Sequence, residues 1–194
     1  MGVADFIDMY IRYGIIPVWL MAGFADWLCH RRTHIEANAG AKESVMHLAQ
    51  MLEVGIPLMI ALIFEIDPGV ILIMVVGLVL HEVTALWDVS YARQRRDITA
   101  IEQHIHSFLE LLPICAVTLV IGANLETVRN AIFSSGPQPF ALTPSHVPLT
   151  YVGGVLAAAL LFAALPYAEE LIRCLRYSRG SRSRVGAKHL PDVS

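Results

Sequence analysis

Charge is scarce in this chain of 194 residues: 16% is Asp, Glu, Lys or Arg, against 56% hydrophobic. A soluble domain carries about a quarter charged residues, so an ordinary soluble domain is excluded. Cysteine is scarce as well. Cys29, Cys115 and Cys174 are scattered, odd in number and without a C-x2-C pair, which excludes a disulfide framework and a thiolate zinc site. There is no glycine-rich phosphate loop, no serine nucleophile motif and no basic patch suited to nucleic acid. The opening residues, M-G-V-A-D-F-I-D-M, lack the basic stretch of a signal peptide, so the first apolar run is expected to stay as a span.

What the chain has instead is long apolar runs. Five segments, 9–28, 46–64, 69–87, 105–123 and 150–168, approach the roughly twenty residues that a bilayer requires. The expected fold is therefore all-α and integral to a membrane, with a bacterial inner membrane as the expected location. Basic residues set the orientation. Twelve of the fourteen Lys and Arg lie in the connection after the first run, the connection after the third, and the tail, leaving Arg12 and Arg129. The positive-inside rule makes that side cytoplasmic, with the N-terminus outside and the C-terminus inside.

The polar residues that remain are patterned. Asp26, His30 and His34 stand four apart, so on a helix each is turned only about 40° from the last. Glu43 and His47 repeat the four-residue step at the start of the second run. A second copy follows, with Asp88 in the place of Asp26 and Glu102/His106 in the place of Glu43/His47; His81 lies two helical turns before Asp88. The chain thus divides into a helix hairpin at 1–64, its duplicate at 65–123, an external loop at 124–149, a fifth span with a basic amphipathic segment at 150–178, and a disordered tail at 179–194. Gly153/Ala157 and Gly154/Ala158 in the fifth span have the small-xxx-small spacing of close helix packing, against the bundle or a second copy in a homo-oligomer.

Nine candidate metal ligands, Asp26, His30, His34, Glu43, His47, His81, Asp88, Glu102 and His106, fall on four helices at the cytoplasmic end of the bundle. A single histidine at the edge of a span is usually only interfacial, and either aspartate could pair with an arginine. Nine such residues at one depth point to metal instead, because ionisable groups against hydrocarbon are costly. Nitrogen and oxygen donors without thiolates select iron, manganese or zinc, and more than four donors suggest two ions. Glu53 and Glu110 lie deeper, before Pro57 and Pro113, and serve either to bond freed backbone or as a proton or ion path; His104 is expected beside the cluster or facing solvent.

The acid residues with E-x3-H on each hairpin resemble the ferritin-type di-iron pattern, whose own spacing is E-x2-H. His30-x3-His34 is similar to the first histidine box of membrane-bound di-iron hydroxylases and desaturases, although their later H-x2-H-H boxes are absent here. The resemblance covers the ligand stripes alone. It implies an oxidoreductase with two metal ions, iron first, that hydroxylates or desaturates a lipid-like substrate with dioxygen and takes electrons from a donor. The alternatives are a divalent-metal transporter or sensor, and a zinc-dependent lipid hydrolase.

Overall fold

The computed structural model describes residues 2–133 and 141–187, without the side chains of 182–187. Its regular structure is helical: α1 (Val3–Tyr10), α2 (Ile16–Arg32), α3 (Ala41–Ile63), α4 (Pro68–Ala92), α5 (Ala100–Ala123), α6 (Leu125–Phe133), α7 (Leu149–Ala159) and α8 (Leu165–Ala187). A π-helical turn, Ile11–Ile15, joins α1 to α2, and a second, Leu160–Ala164, joins α7 to α8. Pro17 and Pro166 follow these two turns closely. Proline cannot donate to the helical ladder, and a π turn reroutes the bonds around it. The carbonyl of Arg12, inside the first π turn, is bonded instead by the Tyr151 hydroxyl at 2.7 Å.

Local chemistry sets the helix boundaries. Asp67 caps α4 by accepting from the Val70 amide at 2.8 Å, with Pro68 at the first helical position. Thr99 caps α5, accepting from the Glu102 amide at 3.2 Å. Gly40 ends the connection before α3 at φ +70, a conformation that favours glycine. Glu43 and Glu102 consequently occupy the same third position of α3 and α5.

Four helices are long and apolar enough to cross a membrane: α3, α4, α5 and the continuous Leu149–Ser181 rod. The run at 9–28 also forms helix but is not among the four; it carries Arg12, ion-paired to Asp8. Charged groups are buried beside an apolar core that includes Ile16, Leu20, Val70 and Val117, and many large apolar side chains face outward. Leu72, Val79, Val83, Leu86 and Leu111 are exposed while Asp26, His30, Glu43 and Glu102 are buried, the reverse of a soluble bundle.

Two expectations change. The connection at 124–149 contains α6 and is not all loop. Helix α8 runs past Arg179 to Ala187, so the disorder expected from 179 does not hold there; 134–140 and 188–194 lie outside the described residues. In the fifth span Gly153 and Gly154 face open space within the chain, nothing lying within 4 Å of a Cβ at either, whereas Ala158 packs against the Ile16–Leu20–Val155 cluster.

Helix α3 packs most closely on α4, and α2 on α5, with α8 alongside α3. At Gly77 the α3–α4 approach leaves no room. An added Cβ would stand 2.4 Å from the Glu53 carbonyl oxygen and 2.5 Å from Pro57 Cγ. Backbone cannot yield as a flexible side chain can, so Gly77→Ala is expected to destabilise the bundle by about 1–3 kcal/mol. A thermal-unfolding series in detergent checks this; a Gly77→Ala midpoint equal to wild type would mean that the two helices are not held this closely.

Candidate metal centre

The polar cluster is built where α2, α3, α4, α5 and α8 converge near the 33–40 and 93–99 connections. Asp26 and His30 lie one turn apart on α2, and Glu43 and His47 one turn apart on α3. Asp88 comes from α4, Glu102 and His106 from α5, and Glu170 from α8. All eight are at most 7% exposed.

The contacts join α2 to α5 and α3 to α4, the helices that pack together. His106 Nε2 lies 3.0 Å from Asp26 Oδ1, and His47 Nε2 lies 3.0 Å from Asp88 Oδ2. His30 Nε2 sits centrally, 3.5 Å from Asp26 Oδ1 and 3.4 Å from Glu102 Oε1. The His30 and His47 rings stack with centroids 4.4 Å apart. Beneath them, Glu170 receives both: His30 Nδ1 at 3.0 Å on Oε2 and His47 Nδ1 at 2.9 Å on Oε1. A carboxylate only accepts, so each Nδ1 carries the proton in these bonds and each Nε2 is turned toward the other acids.

Two sets of donors could hold a metal ion: Asp26, His30, Glu102 and His106, and His30, Glu43 and His47, with their ligand atoms within 4.8 Å of one another in each set. Bonds of about 2.0–2.2 Å to a metal would put neighbouring donors about 3.0–3.6 Å apart. The 3.0, 3.4 and 3.5 Å separations of the first set fall in that range. His106 Nε2–H donates to Asp26 Oδ1 at 3.0 Å, but His30 Nε2 and His47 Nε2, although close to carboxylates, lack hydrogen-bond geometry, and Glu102 Oε2 has no partner. Donors that crowd without bonding one another suit a cation between them.

Arg96, from the 93–99 connection, reaches into the cluster. Its guanidinium bridges Glu43 and Glu102 through one nitrogen, while Nε lies 3.2 Å from Glu43 Oε1. Burial alone would loosen its proton, but the bonds to Glu102 and Glu43 outweigh that and hold the group charged, its pKa above the ordinary arginine value.

Of the nine ligands expected from sequence, seven are brought together: Asp26, His30, Glu43, His47, Asp88, Glu102 and His106. His34 is not. Helix α2 ends at Arg32, His34 takes a left-handed conformation at φ 53, and its exposed ring meets Glu36 at 3.3 Å. The four-residue stripe fails because the helix that would carry it has stopped. His81 is buried but lies deeper, its Nε2–H donating to the Leu109 carbonyl at 3.3 Å. His104 faces outward against Phe108. Glu53 accepts from Thr84 at 2.8 Å, and Glu110 lines a cavity of about 40 Å³ next to the cluster.

Sequence reasoning missed Glu170, reading A-E-E-L-I-R-C as part of an amphipathic tail. Tyr167, Glu170 and Cys174 in fact form a buried helical stripe, and that spacing of three and four was the available signal. No family model, curated protein or solved structure matches the chain.

Proposed function

We propose that this protein is a membrane di-metal oxidoreductase, most consistent with iron, acting with dioxygen on a lipid-like substrate. The observation that carries the reading is Glu170 bonding Nδ1 of both His30 and His47. Metal-binding histidines characteristically give their second ring nitrogen to a carboxylate, which fixes the tautomer and aims the first. Charge supports two ions. Five buried carboxylates, Asp26, Glu43, Asp88, Glu102 and Glu170, face one arginine. The excess of four is cancelled by two divalent cations, whereas protonating His30, His47 and His106 supplies three charges and leaves one acid unmatched.

Bound iron would supply one-electron chemistry and oxygen activation. The chain's own part is to hold and orient. His30, His47 and His106 offer nitrogen, Asp26, Asp88, Glu43 and Glu102 offer oxygen, and Glu170 locks two of the rings. Arg96 offsets negative charge at the cytoplasmic end of the bundle, and the packed helices keep bulk water from the centre. Its place at one end of the apolar helices favours a substrate with an apolar chain.

Glu53 favours a second reading, a divalent-metal transporter. Its Oε2 has no partner, and it lines a second cavity of about 50 Å³ farther along the bundle. Metal analysis and flux separate the readings. The purified protein is expected to hold two irons per chain and, in sealed vesicles, to move no iron, zinc or manganese down a gradient. A single zinc would favour a hydrolase. Metal flux abolished by Glu53→Gln would install the transporter.

A further inference from the structure

Two interior cavities lie end to end along the bundle. The first, about 40 Å³, borders the cluster between Asp26, His47, Asp88 and His106. The second, about 50 Å³, lies one to three turns farther along the same helices, among Ile15, Val54, Met74, Leu78 and Val117. Trp19 lines both and stands between them. Among the described residues Glu53 is the only charged group lining the second; Thr84 holds one of its oxygens and the other has no partner.

The first chamber has a chemical demand of its own. Asp88 Oδ1 and His81 Nδ1 belong to lining residues that are 5% and 3% exposed, and neither atom has a partner. Both are acceptors: the carboxylate oxygen by nature, and His81 Nδ1 because Nε2 carries the ring proton given to the Leu109 carbonyl. A buried acceptor without a donor is costly. A ligand that fits this chamber therefore brings a hydrogen-bond donor at the cluster end, while the wall beyond, Leu20, Met51, Ala85 and Leu109, is apolar up to Trp19, whose buried Nε1 is also without a partner.

We infer that the two cavities are successive chambers of one channel for an unbranched alkyl alcohol, its hydroxyl donating to Asp88 or His81 beside the cluster, and that Trp19 is the stop that sets its chain length. The inference rests on the proposed substrate class and narrows it to single-chain molecules with a donating head. Chambers of about 40 and 50 Å³ are small for two chains side by side. Trp19 is shared by the linings of both chambers, so on this inference methylenes that reach the indole gain no further burial unless the ring moves aside.

The test is equilibrium binding of tritiated 1-alkanols of increasing length to the full chain in lipid nanodiscs, with protein-free nanodiscs subtracting partition into lipid. Affinity is expected to rise about fourfold per methylene and then level off. Trp19→Ala should move the levelling point several carbons longer, and Trp19→Phe should move it less in the same direction. The matching methyl ethers, which cannot donate, should bind roughly tenfold more weakly, and a two-chain diglyceride should not compete. A levelling point unchanged in both variants whose metal content equals wild type, or ethers that bind as well as alcohols, would overturn the inference. Absence of metal from the wild type, with the alcohol series behaving as expected, would instead sink the di-metal reading and leave the channel standing.

Discussion

Glu170→Gln is expected to weaken metal binding by about 10- to 100-fold, the cost of releasing two histidines at once. Glu170 now accepts from His30 and His47 together, at 3.0 and 2.9 Å. Gln keeps the volume and one accepting oxygen, so the bundle should still fold, but at least one imidazole loses its carboxylate. The freed ring can rotate or take the other tautomer, and its Nε2 no longer points reliably into the cluster. Competition with a chelator of known affinity measures the change. His146, exposed and paired only with Glu65, serves as the control. A Glu170→Gln protein with wild-type affinity would remove the second carboxylate–histidine contact from the description of this centre.

Arg96→Gln should have the larger effect on stability. The arginine is buried between Glu43 and Glu102, and no other Lys or Arg pairs with either acid among the described residues. Removing one partner of a buried ion pair leaves charge unmatched and costs about 3–5 kcal/mol. The metal-free protein should accordingly lose on the order of 10 °C in its unfolding midpoint. Added divalent metal should restore more of the midpoint in Arg96→Gln than it adds to wild type, since the freed carboxylates bind it. An Arg96→Gln midpoint that is low and unmoved by metal would show that the two glutamates answer to the arginine alone.

The sequence carried much of this centre because its residues repeat at helical spacing within apolar runs. Asp26/His30, Glu43/His47 and Glu102/His106 each keep a four-residue step inside an unbroken helix, and all six are buried together. His34 has the same spacing, but a hydrogen-bonding pattern, not a count, decides where a helix stops. Thr33 closes α2 with its amide on the Cys29 carbonyl and its hydroxyl on the same group, and the next residue turns outward. Glu170 was hidden for the opposite reason. It sits among arginines in a segment that looks surface-bound, and the packing of α8 against α2 and α3 buries it. Arg96 is similar: as one arginine of three in a short connection, it reads as a topology signal, yet its side chain is inside. Position along the chain told its sign; the fold told its partner.

The pairing of acids and histidines between helices has a consequence for how such a protein is made. Asp26 on α2 finds His106 on α5, and His47 on α3 finds Asp88 on α4. The first two long helices to leave the ribosome therefore carry acids and imidazoles whose mates have not yet been synthesised. Glu170, which joins His30 to His47, arrives last of all. Chains emerge N-terminus first, and unmatched ionisable groups are poorly tolerated in hydrocarbon. Docking of α8, which brings Glu170 to His30 and His47, is therefore the step that completes the cluster. The cluster works as a clasp: its closing marks the moment at which the nascent chain becomes a finished bundle, and a truncated or stalled chain displays an open, acidic end.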